Sequence, residues 1–185
     1  MKSQFFLKKK KFHSASFVIG MGIILFGFFI LNTYNKSSYI MCNQPYALCT
    51  SAKCVPNPDN YNQTICNCDI EHGDSIGTKQ CDQLKGYVEN NIKYIFSTFS
   101  PLQSVKQGKK ILHCDAKYPW SNCLNQKCEV DPRDPTKAIC ACDLVKSKKD
   151  WITFGGNANP SACANNYFSG AYFDDYKSAM KFWNY

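Results

Sequence analysis

The chain has 185 residues, of which 44% are hydrophobic and 15% aromatic, too apolar a composition for a wholly disordered protein. Its formal net charge is +8, but residues 2 and 8–11 supply five of the 22 basic side chains. Residues 32–185 therefore hold 17 basic against 14 acidic side chains, a net charge of +3, and Arg133 is the sole arginine of the chain. This balance argues against nucleic-acid binding, which relies on clustered cations against phosphates.

The N-terminal region predicts a membrane anchor. Residues 1–14 form a basic tail, and residues 15–31 contain no charged side chain. As a helix, such a stretch would span roughly 25 Å, close to the thickness of a bilayer core. We therefore predict a transmembrane signal-anchor over residues 15–34, in contact with the lipid bilayer. The excess of lysine before it places the tail in the cytoplasm and the rest of the chain in the periplasm or outside the cell.

A cleaved signal peptide is the alternative interpretation of this segment. It would have the same basic start and apolar middle, and the mature protein would then be secreted. A cleavage site of small residues should follow the apolar stretch, yet the chain continues NTYNKSSYIMC from residue 32, where only the two serines qualify. This favours an uncleaved anchor.

All the cysteines follow the apolar segment. Their number is even, and an even number outside the cytoplasm predicts disulfide bonds. The twelve cysteines are Cys42, Cys49, Cys54, Cys66, Cys68, Cys81, Cys114, Cys123, Cys128, Cys140, Cys142 and Cys163.

The cysteines recur in a repeated frame. Residues 53–69 read KCVPNPDNYNQTICNCD, and residues 127–143, 74 positions later, read KCEVDPRDPTKAICACD. The cysteines, a proline and the Ile-Cys-x-Cys-Asp ending are retained, whereas the polar residues between them differ. The pattern predicts two tandem cysteine-rich modules, residues 40–111 and 112–185, in which disulfides compensate for a small hydrophobic core.

Within each frame, eleven residues rich in Pro, Asn and Asp separate two cysteines, a composition that favours a chain reversal between short strands. We predict a hairpin in each copy, closed by the pairs Cys54–Cys66 and Cys128–Cys140, although six cysteines permit 15 pairings. The isoleucine before the second cysteine of each frame, Ile65 or Ile139, is expected to fill the interior.

The sixth cysteine of each copy departs from the repeat. Cys81 and Cys163 lie 82 positions apart, so the offset of 74 does not relate them. They could bond within their own modules or to each other, and we favour the first because six cysteines per module need no external partner.

Two apolar patterns remain outside the frames. Residues 88–99 carry a helical stripe, but their β-branched and aromatic content equally permits a strand. Residues 173–183 place four large apolar side chains on one helical face, which predicts a short docked helix. Together these features predict a small disulfide-rich α+β fold, mainly of short β-hairpins in two tandem modules, after one N-terminal transmembrane helix.

The cysteine spacing could also supply thiolates to zinc or a redox-active pair. An oxidising location favours bonding between the sulfurs, so we predict no metal or cofactor. The Gly-Asp-Ser stretch at residues 73–75 resembles the start of an esterase motif, but no Asp-x-x-His sequence follows it. No catalytic residue is assigned, and the chain is not expected to be an enzyme.

We therefore expect a non-enzymatic binding or structural role in the cell envelope, with an extracytoplasmic thiol-disulfide oxidoreductase or other secreted enzyme as the alternative. The partner, a protein or a saccharide, is expected to contact loops that differ between the copies, residues 71–80 and 146–159. Candidate binding side chains are Trp151, Phe154, Lys148 and Lys149. A structural role for Trp151 in the core is the competing interpretation.

Overall fold

The repeated cysteine frames form two β-hairpins at the centre of the structure. In this computed structural model, residues 38–146, 148–155, 161–165 and 167–183 are described. Strand β2 of the first hairpin pairs with β3, and strand β8 of the second pairs with β9. The strands are β1 (Ile40–Leu48), β2 (Lys53–Pro56), β3 (Gln63–Gly77), β4 (Tyr87–Glu89), β5 (Ile92–Thr98), β6 (Lys110–Cys114), β7 (Trp120–Asn122), β8 (Lys127–Val130), β9 (Lys137–Val145), β10 (Trp151–Gly155), β11 (Tyr167–Phe168) and β12 (Ala171–Tyr172).

Asparagine and aspartate side chains close the two hairpin turns. The backbone N–H of Asn57 donates to the carbonyl of Gln63, and Asp131 makes the equivalent bond to Lys137. The side-chain oxygens of Asn57 and Asp131 each accept a backbone N–H two residues further on. Such local bonds favour chain reversal, and both predicted hairpins are confirmed.

A nine-stranded sheet contains both hairpins. Its strand order is β11-β2-β3-β1-β5-β8-β9-β7, and β4 is added beside β5. Strand β3 also pairs with β9, so β3, β1, β5, β8 and β9 form a closed ring of pairings. Closure leaves these five strands with fewer unpaired edges than an open sheet would have.

The two frames meet in the antiparallel pairing of β3 with β9. Cys66 lies opposite Cys140, and these two cysteines occupy equivalent positions of the repeated frame. Thr64 lies opposite Cys142, and Cys68 opposite Ala138, so the register is symmetric about the central pair. An approximate local twofold axis therefore passes between Cys66 and Cys140 and relates β3 to β9.

A smaller sheet has the order β12-β10-β6. Four of the five residues of its central strand, β10, are buried. The helices are α1 (Pro101–Lys106), α2 (Ser161–Asn165) and α3 (Phe173–Met180), with 3-10 turns at Cys81–Leu84 and Lys181–Trp183. Helix α3 confirms the helix predicted near the C-terminus, and its Ala179 is fully buried.

The predicted α+β class is wrong, because the described residues form a mostly β-sheet structure. Strand accounts for 51% of the structure and helix for 18%, and β3 alone runs for 15 residues. Residues 88–99 belong to the hairpin β4–β5 instead of a helix. Asn90 and Asn91 connect its strands with φ of 51° and 65°. Asparagine tolerates this left-handed conformation, and two such residues in succession suit a tight hairpin turn.

The isoleucines of the frames do not fill the interior. Ile139 is 40% exposed, and Ile65 is half-buried. Side chains alternate between the faces of a strand, so an isoleucine next to a buried cysteine must point to the opposite face. The cysteines themselves occupy the inner face.

No helix among the described residues is long and apolar enough to cross a membrane. The predicted transmembrane segment 15–34 and the tail 1–14 lie outside those residues. Ser38–Tyr185 form one compact unit by their contacts. The predicted division into modules 40–111 and 112–185 stays a prediction, and its boundary falls within β6.

Candidate functional site

All twelve cysteines lie in the described part of the chain, and all are paired in six disulfides. The expected hairpin pairs Cys54–Cys66 and Cys128–Cys140 are both present. No disulfide joins residues 40–111 to residues 112–185. The remaining pairs are Cys42–Cys81, Cys49–Cys68, Cys114–Cys163 and Cys123–Cys142.

Four of these disulfides lie together in the interior, and we call them the central disulfide cluster: Cys49–Cys68, Cys54–Cys66, Cys123–Cys142 and Cys128–Cys140. Sulfurs of different disulfides approach closely there, and the Sγ atoms of Cys49 and Cys140 are 3.4 Å apart. Three sets of three cysteine sulfurs lie within 4.8 Å of one another, a spacing suited to a metal ion. Metals bind thiolates, and each of these sulfurs is already bonded to another sulfur.

Two of the predicted binding residues belong to the core. Trp151 is 0% exposed and Phe154 is 2% exposed, so the prediction that they contact a partner is wrong. The Trp151 ring stacks on Trp120 with centroids 5.8 Å apart, and its indole N–H donates to the carbonyl of Tyr118. Both faces of β10 are covered by packing: Trp151 lies against Trp120, and Phe154, which points to the other face, lies against Tyr176 of α3 with ring centroids 6.2 Å apart.

The lysines of the same prediction are exposed. Lys148 and Lys149 precede β10, and the Nζ atom of Lys149 lies 5.9 Å from the centre of the Tyr172 ring. A binding role for them stays a prediction, now without the aromatic side chains that were expected beside them.

A polar cavity of about 230 Å³ lies against β1, β3 and helix α1. We call it the polar cavity. Residues from four separate parts of the sequence line it, chiefly Asn43, His72, Asp74, Gln103, Lys106 and Trp183.

Strand pairing positions the first part of this lining. Asn43 lies directly opposite Asp74 in the ladder of β1 and β3, and its amide donates to a carboxylate oxygen of Asp74 at 2.6 Å. The hydroxyl of Ser100 donates to the backbone carbonyl of Asp74 at 3.0 Å. These bonds fix Asp74 from both its side chain and its backbone.

Beneath the cavity, Tyr46 is 2% exposed. Burial raises the pKa of Tyr46 to about 12, and the carboxylates of Glu71 and Asp74 act in the same direction. The phenol is therefore neutral over the physiological pH range. On the cavity wall, Gln103 of α1 donates to Glu71 at 3.1 Å, which orients its side-chain amide.

A more apolar depression of about 310 Å³ adjoins the polar cavity, and we call it the apolar groove. The rings of Tyr87 and Tyr94 lie there with centroids 5.2 Å apart. Tyr87 is 39% exposed and Val88 is 68% exposed. His72 is part of the lining of both depressions, so they adjoin at this residue. The groove is lined chiefly by Pro45, Ile70, Tyr87, Val88, Tyr94 and Pro135, together with the exposed lysines Lys85 and Lys93.

Sequence reasoning singled out residues 71–80 as a variable loop, but residues up to Gly77 belong to β3. Ser75, considered in the esterase comparison, is buried and accepts a hydrogen bond from the Thr98 hydroxyl. His72 and Asp74 do line the polar cavity. The sequence did not predict that Asn43 and Trp183 would line the same cavity, because the two positions are 140 residues apart and share no motif.

The six disulfides indicate an oxidising environment, extracellular or periplasmic. Comparisons of the chain with protein-family models, with curated proteins and with solved structures found no match.

Proposed function

We propose that this chain is a non-enzymatic binding protein of the cell envelope or cell surface. The observation that carries the proposal is that every cysteine is used in a disulfide, while a polar cavity and an apolar groove remain open beside the bonded scaffold. Rigid disulfide-linked scaffolds suit binding, because little conformational entropy is lost when a ligand contacts them.

Residues 15–34 would hold this domain at the lipid bilayer, with residues 1–14 in the cytoplasm. The support is the uncharged stretch at 15–31 and the lysine excess before it. Residues 38–185 would then face the oxidising side of the membrane, as six disulfides require.

We further propose that the domain arose by duplication of a disulfide-stabilised module. Corresponding disulfides have equal separations in the two copies: 12 residues for Cys54–Cys66 and Cys128–Cys140, and 19 for the pairs made by Cys49 and Cys123. The symmetric pairing of β3 with β9 fits an ancestral homodimer whose subunits later became fused.

Thiol-disulfide exchange is less compatible with the geometry. A redox-active disulfide must expose a sulfur to the thiolate of another molecule, and burial shields a disulfide from such a partner. The cysteines of the central disulfide cluster are between 0% and 7% exposed. Such sulfurs suit a structural role.

Two measurements on the full chain test the proposal. A reporter that is active only outside the cytoplasm, fused after Tyr185, should be active, and a cytoplasmic reporter at the same point should be silent. Titration of the denatured, purified chain should find about zero free thiols per molecule. Two or more free thiols, or activity of the cytoplasmic reporter alone, would contradict the proposed function.

A further inference from the structure

We propose that the polar cavity and the apolar groove bind a neutral oligosaccharide, with one sugar in the cavity and the adjoining sugar in the groove. This inference rests on the proposed binding function, and it names the ligand class and the two subsites. It follows from the size of the cavity, its hydrogen-bonding groups, its charge and its position beside the groove.

The size of the polar cavity suits a single sugar ring. Drug-sized ligands occupy pockets of about 300–1,000 Å³. The polar cavity, at about 230 Å³, is smaller than this range, so it has room for one ring and its substituents. A protein segment would need a longer groove or an open strand edge.

The polar groups of the cavity match hydroxyl groups, which both donate and accept hydrogen bonds. The bond from Asn43 occupies one carboxylate oxygen of Asp74 and leaves the other oxygen to accept. The amide of Gln103 is committed to Glu71 through its nitrogen, so its oxygen can also accept. The ammonium group of Lys106 adds donors on the same wall.

The charges of the cavity wall favour a neutral ligand. In the polar cavity, Asp74 contributes one negative and Lys106 one positive formal charge, and the two cancel. The lining of the apolar groove includes Lys85 and Lys93, both exposed, whose ammonium groups can donate hydrogen bonds to sugar hydroxyls. An anion would be repelled by Asp74 and a cation by Lys106. A sugar without carboxylate or sulfate groups avoids both costs.

Aromatic side chains border both subsites. Trp183 lines the polar cavity, and Tyr87 presents a partly exposed ring in the apolar groove. Aromatic rings of this kind supply rigid, amphipathic contact area at low entropic cost. A sugar has an apolar face of C–H groups as well as its hydroxyls, and it can use both kinds of contact.

The adjoining positions of the two depressions favour a ligand longer than one sugar. His72 lines both spaces, so the proposed path of a sugar chain from the polar cavity to the apolar groove runs past this residue. Linked sugars in adjoining subsites would gain affinity over one sugar, because the second ring is held near its own subsite.

The test uses the full chain in a detergent without a sugar headgroup, because maltoside or glucoside detergents would compete. The probes are the methyl glycosides of β-glucose, α-mannose and β-N-acetylglucosamine, each beside its tetrasaccharide cellotetraose, mannotetraose or chitotetraose. Calorimetry measures each Kd. At least one tetrasaccharide should bind, and about tenfold or more tightly than its own methyl glycoside.

Variants assign the two subsites. Asp74→Asn and Lys106→Gln should each weaken both the monosaccharide and the tetrasaccharide about tenfold or more. Tyr87→Ala should weaken the tetrasaccharide alone. Matched controls outside both depressions are Asp59→Asn and Tyr61→Ala, since Tyr61 is 89% exposed on the β2–β3 turn. Each variant is checked for the absence of free thiols. If Asp74→Asn does not fold, Lys106→Gln tests the polar cavity in its place, because Lys106 is exposed on α1.

Failure of every probe to bind at about 10 mM would overturn the glycan inference. Binding that Asp74→Asn and Lys106→Gln leave unchanged would also overturn it, because the sugar would then lie elsewhere. Either result, obtained with a fully bonded chain exposed outside the cytoplasm, leaves the proposed function intact. Free thiols or a cytoplasmic location would instead refute the proposed function itself.

Discussion

At the scale of single residues, the sulfurs of the central disulfide cluster have a choice of partners. Cys49 is bonded to Cys68, yet its Sγ atom lies only 3.4 Å from that of Cys140. This proximity joins one cysteine frame to the other. If the bond of Cys49 to Cys68 were absent, the free Cys49 thiol would therefore have the Cys128–Cys140 disulfide within reach.

We predict that Cys68→Ser redirects the disulfides. The variant frees the Cys49 thiol, whose thiolate can attack Cys140, so that a Cys49–Cys140 bond forms and Cys128 leaves as the thiolate. Peptide mapping after alkylation should find the label on Cys128. Cys81→Ser is the control, because it frees Cys42 outside the cluster and the label should remain on Cys42. Label confined to Cys49 in the first variant would contradict the exchange.

Tyr46 gives a second prediction at this scale. Burial raises its pKa from 10.0 to about 12, so the folded protein holds this proton to higher pH than the unfolded chain does. The stability that results is fully present below pH 10 and is lost as the pH rises from 10 to 12, by up to about 1.4 kcal/mol per pH unit.

The measurement is the free energy of unfolding in guanidinium at several pH values, with short incubation to limit disulfide damage. Tyr46→Phe should lose less stability between pH 10 and 12 than the unaltered chain. Tyr61→Phe, at an exposed side chain, is the matched control for loss of a hydroxyl. A loss in Tyr46→Phe as steep as in the unaltered chain would refute the assignment.

At the scale of elements, the β4–β5 hairpin depends on its asparagine turn. Asn91 has φ of 65°, where a β-branched side chain is strained and glycine is not. Asn91→Val should reduce the free energy of unfolding by about 1–2 kcal/mol. Asn91→Gly should leave it within about 0.5 kcal/mol. Urea unfolding compares the two variants, and equal stability would show that the turn does not need the left-handed conformation.

At the scale of the whole molecule, the two copies share one sheet although no disulfide joins them. Strand β3 pairs with β9, and β5 pairs with β8, across the predicted module boundary. Residues 38–109 contain three complete disulfides. Expressed alone in an oxidising compartment, this fragment should therefore contain no free thiol but should expose the edge of β3 that β9 normally covers.

We predict that this fragment forms a homodimer through β3. The register of β3 with β9 is symmetric about equivalent cysteines, so two copies of β3 can pair in the same way about Cys66. Light scattering should give twice the fragment mass, with no alkyl label on any cysteine. Replacement of Ile70 by proline, which removes the backbone N–H that Ile70 donates to the carbonyl of Thr136 in the intact chain, should return the fragment to a monomer. A folded monomer without this replacement would contradict the prediction.

The sequence by itself determined the features that depend on nearby residues. The hairpins and their disulfides Cys54–Cys66 and Cys128–Cys140 were predictable, because eleven turn-forming residues hold each pair of ends together. The oxidising location followed from the cysteine count, and the C-terminal helix from its apolar spacing. The exposure of Ile139 was also implied by strand alternation, which the expectation of a filled interior overlooked.

Only the tertiary structure decided the features that depend on distant residues. Closure of β3 onto β9, the partners of Cys49 and Cys123, and the burial of Trp151 depend on which strands become neighbours. Strands become neighbours through backbone hydrogen bonds. The backbone groups are the same for nearly every amino acid, so no sequence motif predicts which strands will pair. The polar cavity has the same origin, because strand register and helix docking bring Asn43, Asp74 and Trp183 together across 140 residues of chain.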